Sequence, residues 1–118
     1  MDEIQNTKKY YDLEDRTFEF AKKVRNYCKA LPKNQTNYEY SKQLIRSSGS
    51  VGANYIEANE SLGKKDFLMR IRISRKESKE SIYWLKLTES DNIDEQDWLI
   101  NEATELMKIF GTILKKSE

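Results

Sequence analysis

Between Arg46 and Ser61 the chain reads RSSGSVGANYIEANES, a segment of glycine, serine and other small residues that invites comparison with phosphate-binding loops. Such a loop needs backbone N–H groups that glycines leave accessible at the N-terminus of a helix. Gly49 and Gly52 follow neither the G-x-G-x-x-G spacing nor the G-x-x-x-x-G-K-S/T spacing, and no strand-like run precedes them. A phosphate-binding loop is therefore not predicted here.

The residue types that most often carry catalysis or bind metals are scarce. The chain has no histidine, so it lacks the usual general base and the commonest metal ligand. Cys28 is the only cysteine and lies among apolar residues of a predicted helix, where a small buried side chain is the expected role. Glu77 and Glu80 lie one helical turn apart, a spacing typical of solvated surfaces. We therefore predict that the protein is not an enzyme and uses no metal or cofactor.

Basic side chains gather on one side of the third predicted helix. At about 100° per residue they fall within about 80° of one another, opposite the apolar side, and one tyrosine lies among them. This basic stripe consists of Lys65, Arg72, Lys76, Lys79, Tyr83 and Lys86. The first predicted helix adds Lys22, Lys23, Arg25 and Lys29, whereas residues 89–105 carry seven acidic residues and no basic residue. Charge is thus polarised in a chain whose net charge is only +1.

Two functions are compatible with this polarised charge. Basic surfaces bind phosphate backbones by releasing counterions, and repetition of the surface in an oligomer multiplies the contacts. RNA or DNA would then be the partner, bound through the basic stripe. A lysine-rich helix surface is also common where it meets only water. The alternative is therefore a protein-binding or scaffolding oligomer without nucleic-acid affinity.

The composition is that of one helical domain spanning residues 1–118. Charged residues make up 35% of the chain and hydrophobic residues 37%, with one proline and four glycines, as expected for long amphipathic helices. The first residues contain no apolar signal segment, and no run approaches the roughly 18 apolar residues of a membrane span. We therefore predict a cytoplasmic protein without membrane contact.

Apolar residues recur with helical spacing in four segments, near residues 13–31, 37–62, 65–89 and 95–116. The expected N-terminal caps are Asp12 for the first helix, Thr36 with Glu39 for the second and Asp94 for the fourth. Gly63 is expected to end the second helix, whose apolar side would include Leu62. Short connections between these helices predict an all-α fold, an antiparallel up-down four-helix bundle.

A second stripe on the second helix lies beside its apolar side. Its members, the glycine stripe, are Ile45, Gly49, Gly52, Ile56 and Asn59. A glycine inside a helix costs about 1 kcal/mol relative to alanine, and two of them one turn apart favour the close approach of another helix. We predict that small residues of the third helix face this contact, namely Ser74, Ser78 and Ser81.

Large apolar side chains away from the apolar sides predict a homo-oligomer. Phe18, Ile73 and Trp84 would be exposed in a single bundle, and contiguous exposed apolar surface usually marks an interface. Gly49, Gly52 and Ile56 are expected to take part in the same close packing.

The opposite edge of the second helix is polar. This polar line consists of Ser50, Asn54, Glu57 and Ser61. A hydrogen-bonded network at a helix contact or subunit boundary is the plainer interpretation, and a ligand site is the alternative.

The segment IRSSGSVGANYIEANES, followed by KKDFLMRIRISRKESKESIYWLKL, resembles the bacterial four-helix-bundle proteins called 23S rRNA-intervening-sequence proteins. The family pattern has Arg-Ser, then Ser-hydrophobic-x-x-Asn-hydrophobic-x-Glu-Gly, a basic turn, a Phe and a Glu-rich third helix. The matching positions are Arg46, Ser47, Ser50, Val51, Asn54, Tyr55, Glu57, Lys64, Lys65, Phe67, Glu77 and Glu80. Ala58 stands where many members have glycine.

The resemblance implies a four-helix bundle over nearly the whole chain. Members of the family are similar in fold to the accessory protein of diversity-generating retroelements, a pentameric barrel that binds nucleic acid and a reverse transcriptase. By this resemblance the chain is expected to be a homopentamer. The family has no established catalytic activity.

Overall fold

In the computed structural model, residues 12–117 are described, and they form four helices with short connections. These are α1 (Leu13–Ala30), α2 (Gln35–Asn59), α3 (Lys64–Leu87) and α4 (Ile93–Ser117). Helices make up 87% of the described residues, which contain no strand. The predicted all-α fold class is therefore confirmed.

Neighbouring helices run antiparallel and pack side by side. Between α2 and α3, Arg46 contacts Glu80 whereas Asn54 contacts Arg70, so the two helices run in opposite directions. Each helix packs against the next one along the chain, and α1 also contacts α4. This arrangement closes an up-and-down bundle with the connections at its two ends.

The core lies along the axis of the bundle, and all four helices contribute to it. Its apolar side chains with no more than 1% of their surface exposed are Phe20, Val24, Tyr27, Leu44, Val51, Ile71, Leu85, Leu99, Ala103, Leu106 and Phe110. Burying one such Val, Leu, Ile or Phe side chain stabilises the fold by about 1.5–3 kcal/mol relative to leaving it exposed. The buried Tyr27 hydroxyl lies 2.7 Å from Thr88 Oγ1, so the polar end of this core residue is satisfied.

Buried serines bring α2 and α3 close together. Ser74 Oγ donates to the Val51 carbonyl at 2.9 Å, and the hydroxyl oxygens of Ser47 and Ser81 lie 2.9 Å apart. A serine leaves room for the backbone of the neighbouring helix, and its hydroxyl finds a partner there. The serine side of α3 is therefore a close helix contact, as predicted, but it faces the core side of α2 and not the glycine stripe.

The glycine stripe lies on the side of α2 toward α1. A Cβ placed on Gly52 would be 2.8 Å from Thr17 Oγ1 and 3.1 Å from Thr17 Cβ, so this glycine allows α1 to approach. A Cβ on Gly49 would meet no atom within 4 Å in the described part of the chain. Within its own bundle Gly49 meets no neighbouring helix, because it is about 60° further round the helix than Gly52. Its close packing at a contact between subunits stays a prediction.

The large apolar side chains that were predicted to lie outside the core differ in how far they are exposed. Phe18 is 62% exposed and Ile56 is 46% exposed. Ile73 and Trp84, which were expected to be exposed, are only partly so, and the Trp84 ring packs 6.0 Å from that of Tyr40 on α2. An indole is large enough to reach back to the neighbouring helix from the edge of the core.

Two of the helix caps differ from prediction. Asn34 Oδ1 accepts a backbone N–H of the first turn of α2 at 2.9 Å, and Thr36 lies inside that turn. Asn92 Oδ1 accepts a backbone N–H of the first turn of α4 at 3.1 Å, so Asp94 is not the cap. Asparagine caps as well as aspartate or serine. Asp12 caps α1 as predicted, accepting a backbone N–H at 3.2 Å.

The second helix is shorter than predicted at its C-terminus. It ends at Asn59, after which the backbone N–H groups of Glu60 and Ser61 bond to carbonyls three residues back. Leu62 therefore lies outside the helix and is fully exposed. Gly63 does not end α2; it is the N-terminal cap residue of α3, with extended backbone angles. Glu60, Leu62 and Gly63 are exposed, so a further turn of α2 would bury little.

Candidate functional site

The outer side of α3 presents the whole basic stripe to solvent. Lys65, Arg72, Lys76, Lys79, Tyr83 and Lys86 are all exposed. Within residues 12–117, none of the five cations lies within 4.0 Å of a carboxylate as an ion pair. Helix geometry accounts for this arrangement, because these residues lie opposite Ile71, Ser78 and Leu85, which are buried.

Tyr83 is the aromatic member of the basic stripe, and it is held by its neighbour. Its ring is 59% exposed and packs edge-on against Trp84, with centroids 5.0 Å apart and an angle of 78° between the rings. The Trp84 ring in turn packs against the ring of Tyr40. An exposed ring with a fixed orientation can stack on a base at a small entropic cost.

Trp84 also carries an unsatisfied donor. Its indole Nε1 is buried, and no hydrogen-bond acceptor in the described chain reaches it. A buried donor without a partner costs about 1–3 kcal/mol, so the edge where α2 meets α3 is not optimised for stability alone.

The polar line bonds within α2 and reaches across to α3. Asn54 Nδ2 donates to the Ser50 carbonyl at 2.9 Å, and Asn54 Oδ1 accepts from Arg70 Nη1 at 3.0 Å. Ser61 Oγ donates to the Glu57 carbonyl, while the Glu57 side chain is exposed. This geometry is that of a hydrogen-bonded helix contact. A ligand site at the polar line stays a prediction.

A charged cluster that the sequence had suggested to be plain surface lies further along the same contact. Arg46 of α2 donates from Nη2 to Glu80 Oε1 at 2.9 Å, and its Nη1 lies 3.6 Å from Glu77 Oε1. Glu77 is only 7% exposed, and its Oε1 has no hydrogen-bond partner among the described residues. The signal for its burial was its place beside Ser74 and Ser81 on the helix surface.

The surroundings of Glu77 favour its neutral form. Burial raises the pKa of this carboxyl, and the hydrogen bond and negative charge of Glu80 raise it further, while the positive charges of Arg46 and Lys76 oppose the change. The two carboxyls and the arginine thus form one interacting group across α2 and α3.

Residues 12–117 contain neither a candidate metal site nor a helix that could span a membrane. No group of three or more histidine, cysteine, aspartate or glutamate side chains in residues 12–117 is placed to hold a metal ion. Within the same range, every helix is too short or too polar to cross a bilayer.

Six of the twelve motif residues quoted above lie at the contact between α2 and α3, namely Arg46, Ser47, Val51, Asn54, Glu77 and Glu80. Ser50 accepts a hydrogen bond from Asn54 within α2, Glu57 is exposed, and Lys64 and Lys65 are exposed at the start of α3. The motif therefore describes in part how two helices join. It shares Lys65 with the basic stripe, whose other members lie outside the motif.

Comparison with known proteins identifies the family of the chain. Residues 9–112 match the model of the 23S rRNA-intervening sequence protein family. The chain is also similar to a protein of unknown function from the S23 ribosomal protein family of Bacteroides thetaiotaomicron VPI-5482, whose crystal structure was determined at 1.70 Å. The two are 35% identical over 86% of this chain and 97% of that one, with a TM-score of 0.78. No curated protein matches. The predicted family is confirmed, and the chain belongs to the 23S rRNA-intervening sequence protein family.

Proposed function

We propose that the protein is a homo-oligomer that binds RNA or DNA through the basic stripe, with five subunits favoured by the family resemblance. The observation that carries the proposal is the joint exposure, on one side of α3, of five cations without ion partners in the described chain and of the Tyr83 ring. Cations in this state can neutralise phosphates and release counterions, and the ring can stack on an unpaired base.

The shape of the stripe supports contact with several phosphates of one strand. Lys65 and Lys86 lie at its two ends, and at 1.5 Å per residue the stripe is a straight line about 32 Å long. Repetition of this line in an oligomer would place several parallel binding surfaces on one particle, which strengthens binding to long strands.

The test is a charge reversal that leaves the core untouched. Arg72→Glu/Lys76→Glu/Lys79→Glu should weaken binding of all sequences alike and flatten the dependence of log K on log salt by about 2 to 3, since each lost phosphate contact lowers the slope by roughly 0.7 to 0.9. Gel shifts across a salt series measure this slope. Tyr83→Ala should weaken binding of single strands more than binding of duplexes.

A matched control changes the net charge equally at another place. Lys108, Lys115 and Lys116 are exposed on α4. Lys108→Glu/Lys115→Glu/Lys116→Glu should retain most of the affinity, and both variants should keep the wild-type helicity and oligomeric mass. Equal loss of affinity in the two triple variants would mean that binding is not specific to the basic stripe, and no binding by wild type at low salt would remove the nucleic-acid function.

The alternative is a scaffolding oligomer without nucleic-acid affinity. The acidic stretch of residues 89–105 favours it, because the basic stripe of one copy could pack against this stretch of a neighbour. In that case Arg72→Glu/Lys76→Glu/Lys79→Glu would break the oligomer into subunits. Light scattering beside the gel shifts separates the two functions.

A further inference from the structure

A groove between the end of α1 and the first half of α2 combines apolar walls with a basic rim. This α1–α2 groove has a volume of about 350 Å³, and its apolar part is formed by Cys28, Leu31, Tyr38 and Ile45. Tyr38 and Ile45 are 61% and 49% exposed, so the groove is open. Its basic residues are Arg25, Lys29, Lys33 and Lys42, and no acidic side chain lines it in the described chain.

The connection from α3 to α4, together with the first turn of α4, has the complementary character. Residues 89–97, the acidic corner, contain five acidic residues and no basic residue. Within it Ile93 is 57% exposed and lies between Asp91 and Asp94, both of which are also exposed. The corner therefore presents an apolar side chain with carboxylates beside it, whereas the groove presents an apolar recess with cations around it.

The groove and the corner lie at the same level along the bundle. Asn37, which lines the groove, donates from Nδ2 to the carbonyls of Pro32 and Glu89, both at 3.0 Å. Its Oδ1 accepts the Glu89 backbone N–H at 2.9 Å. These bonds join the α1–α2 connection to the start of the acidic corner, so the two surfaces share one end of the molecule.

One chain cannot fill its own groove. The last turns of α1 separate the two surfaces, with Cys28 and Lys29 on the groove side and Tyr27 and Ala30 on the side of the acidic corner. The bonds of Asn37 hold the corner in that place. A second copy standing beside the first, with its axis parallel, would bring its corner to the level of the groove.

We infer that the α1–α2 groove binds the acidic corner of a second copy of this chain, with Ile93 entering beside Tyr38 and Ile45. This inference rests on the homo-oligomer of the proposed function and names its contact surface. The two surfaces differ, so the contact is heterologous. After two copies have joined, one groove and one acidic corner are still unoccupied and can bind further copies. A row of copies joined in this way can close into a ring. Opposite charges around the apolar contact set its register and exclude wrong pairings.

Charge exchange between the two surfaces tests the inference. Arg25→Glu/Lys29→Glu in the groove and Asp91→Lys/Asp94→Lys in the corner should each lower the mass measured by light scattering toward that of the 14.0 kDa chain. The variant that carries all four changes should regain the wild-type mass. Ile93→Asp should also give single chains, whereas Leu62→Asp, a control at the fully exposed Leu62 of the opposite end, should not.

A cross-linking experiment distinguishes a heterologous contact from a symmetric one. In a Cys28→Ser background, Ile45→Cys mixed with Ile93→Cys should form covalent dimers on oxidation, and neither variant should do so by itself. Covalent dimers formed by Ile45→Cys or by Ile93→Cys without the other variant would overturn the inference. It would also be overturned if the protein with all four charge changes were helical but remained a single chain.

The outcomes also separate this inference from the nucleic-acid function. Wild type that is a single chain at micromolar concentration would overturn the inference together with the proposed oligomer. Restored mass in a protein that binds neither RNA nor DNA would leave the contact surface established and remove the nucleic-acid function alone. If Arg72→Glu/Lys76→Glu/Lys79→Glu fell to the mass of a single chain while Arg25→Glu/Lys29→Glu kept the oligomeric mass, the contact would lie on α3. That result would overturn the inference.

Discussion

Among residues 12–117, Glu77 is the most deeply buried carboxyl group. Burial and the neighbouring Glu80 raise its pKa, and its Oε1 has no hydrogen-bond partner in the described chain. A group whose pKa is higher in the folded than in the unfolded chain favours folding while it is protonated. That contribution is complete below the ordinary pKa of a glutamate, near 4.5, and is lost as the pH rises through the raised value.

Glu77→Gln should therefore be more stable than wild type at neutral pH and should lose this advantage in acid. Glutamine has the same shape, carries no buried charge and can donate to Glu80, so we expect a gain on the order of 1 kcal/mol at pH 7. Urea unfolding at several pH values between 4 and 8 measures it. The control is Glu80→Gln, which removes the negative charge that pairs with Arg46 at 2.9 Å and should not stabilise. A difference between Glu77→Gln and wild type that does not change with pH would contradict this account.

At the scale of helices, α1 packs closely against α2 at Gly52, where a glycine leaves room for Thr17. Thr17 is buried, and its Oγ1 donates to the Leu13 carbonyl at 2.7 Å, so it cannot easily turn away from Gly52. Three residues earlier on α2, Gly49 faces open space within its own chain.

Alanine should lower stability at one of these two glycines and not at the other. Gly52→Ala should destabilise, because overpacking costs about 1–3 kcal/mol and exceeds the gain in helix propensity of about 1 kcal/mol. Gly49→Ala should leave the free energy of unfolding unchanged or raise it by up to about 1 kcal/mol. Thermal melts of the two variants measure the contrast, and a Gly52→Ala protein as stable as Gly49→Ala would show that α1 and α2 can separate without cost.

At the scale of the whole molecule, opposite charges are placed on different sides of the bundle. The basic stripe covers the outer side of α3, and the acidic corner lies at one end, beside α1. Assembly through the α1–α2 groove would use the acidic corner and leave every basic stripe free. Binding of nucleic acid and assembly would then strengthen one another only on strands long enough to reach two stripes.

Breaking the assembly should therefore weaken binding of long strands without changing each single site. Ile93→Asp should lower the affinity for a long single strand by at least about tenfold, because the second stripe is no longer held close by. The affinity for an oligonucleotide that reaches only one stripe should stay within about twofold of wild type. Fluorescence anisotropy with the two lengths makes the comparison, and an equal loss for both would show that Ile93 affects the site itself.

The sequence by itself determined the number of helices, their antiparallel order and the outward direction of the basic stripe. These features depend on the period of apolar residues and on short connections, which are local properties of the chain. The Asp12 cap was predictable for the same reason. The caps of α2 and α4 were not, since Asn34 and Asn92 compete with several residues of equal capping ability nearby.

Tertiary structure alone decided which partner each surface meets. Periodicity indicates on which side of a helix Gly52, Gly49 and Glu77 lie, but the neighbouring helix touches only part of that side. A rotation of about 60° separates Gly52, against Thr17, from Gly49 in the open. The burial of Glu77 and the shared level of groove and corner likewise depend on how the helices are placed against one another, and that placement comes from packing between residues far apart in the sequence.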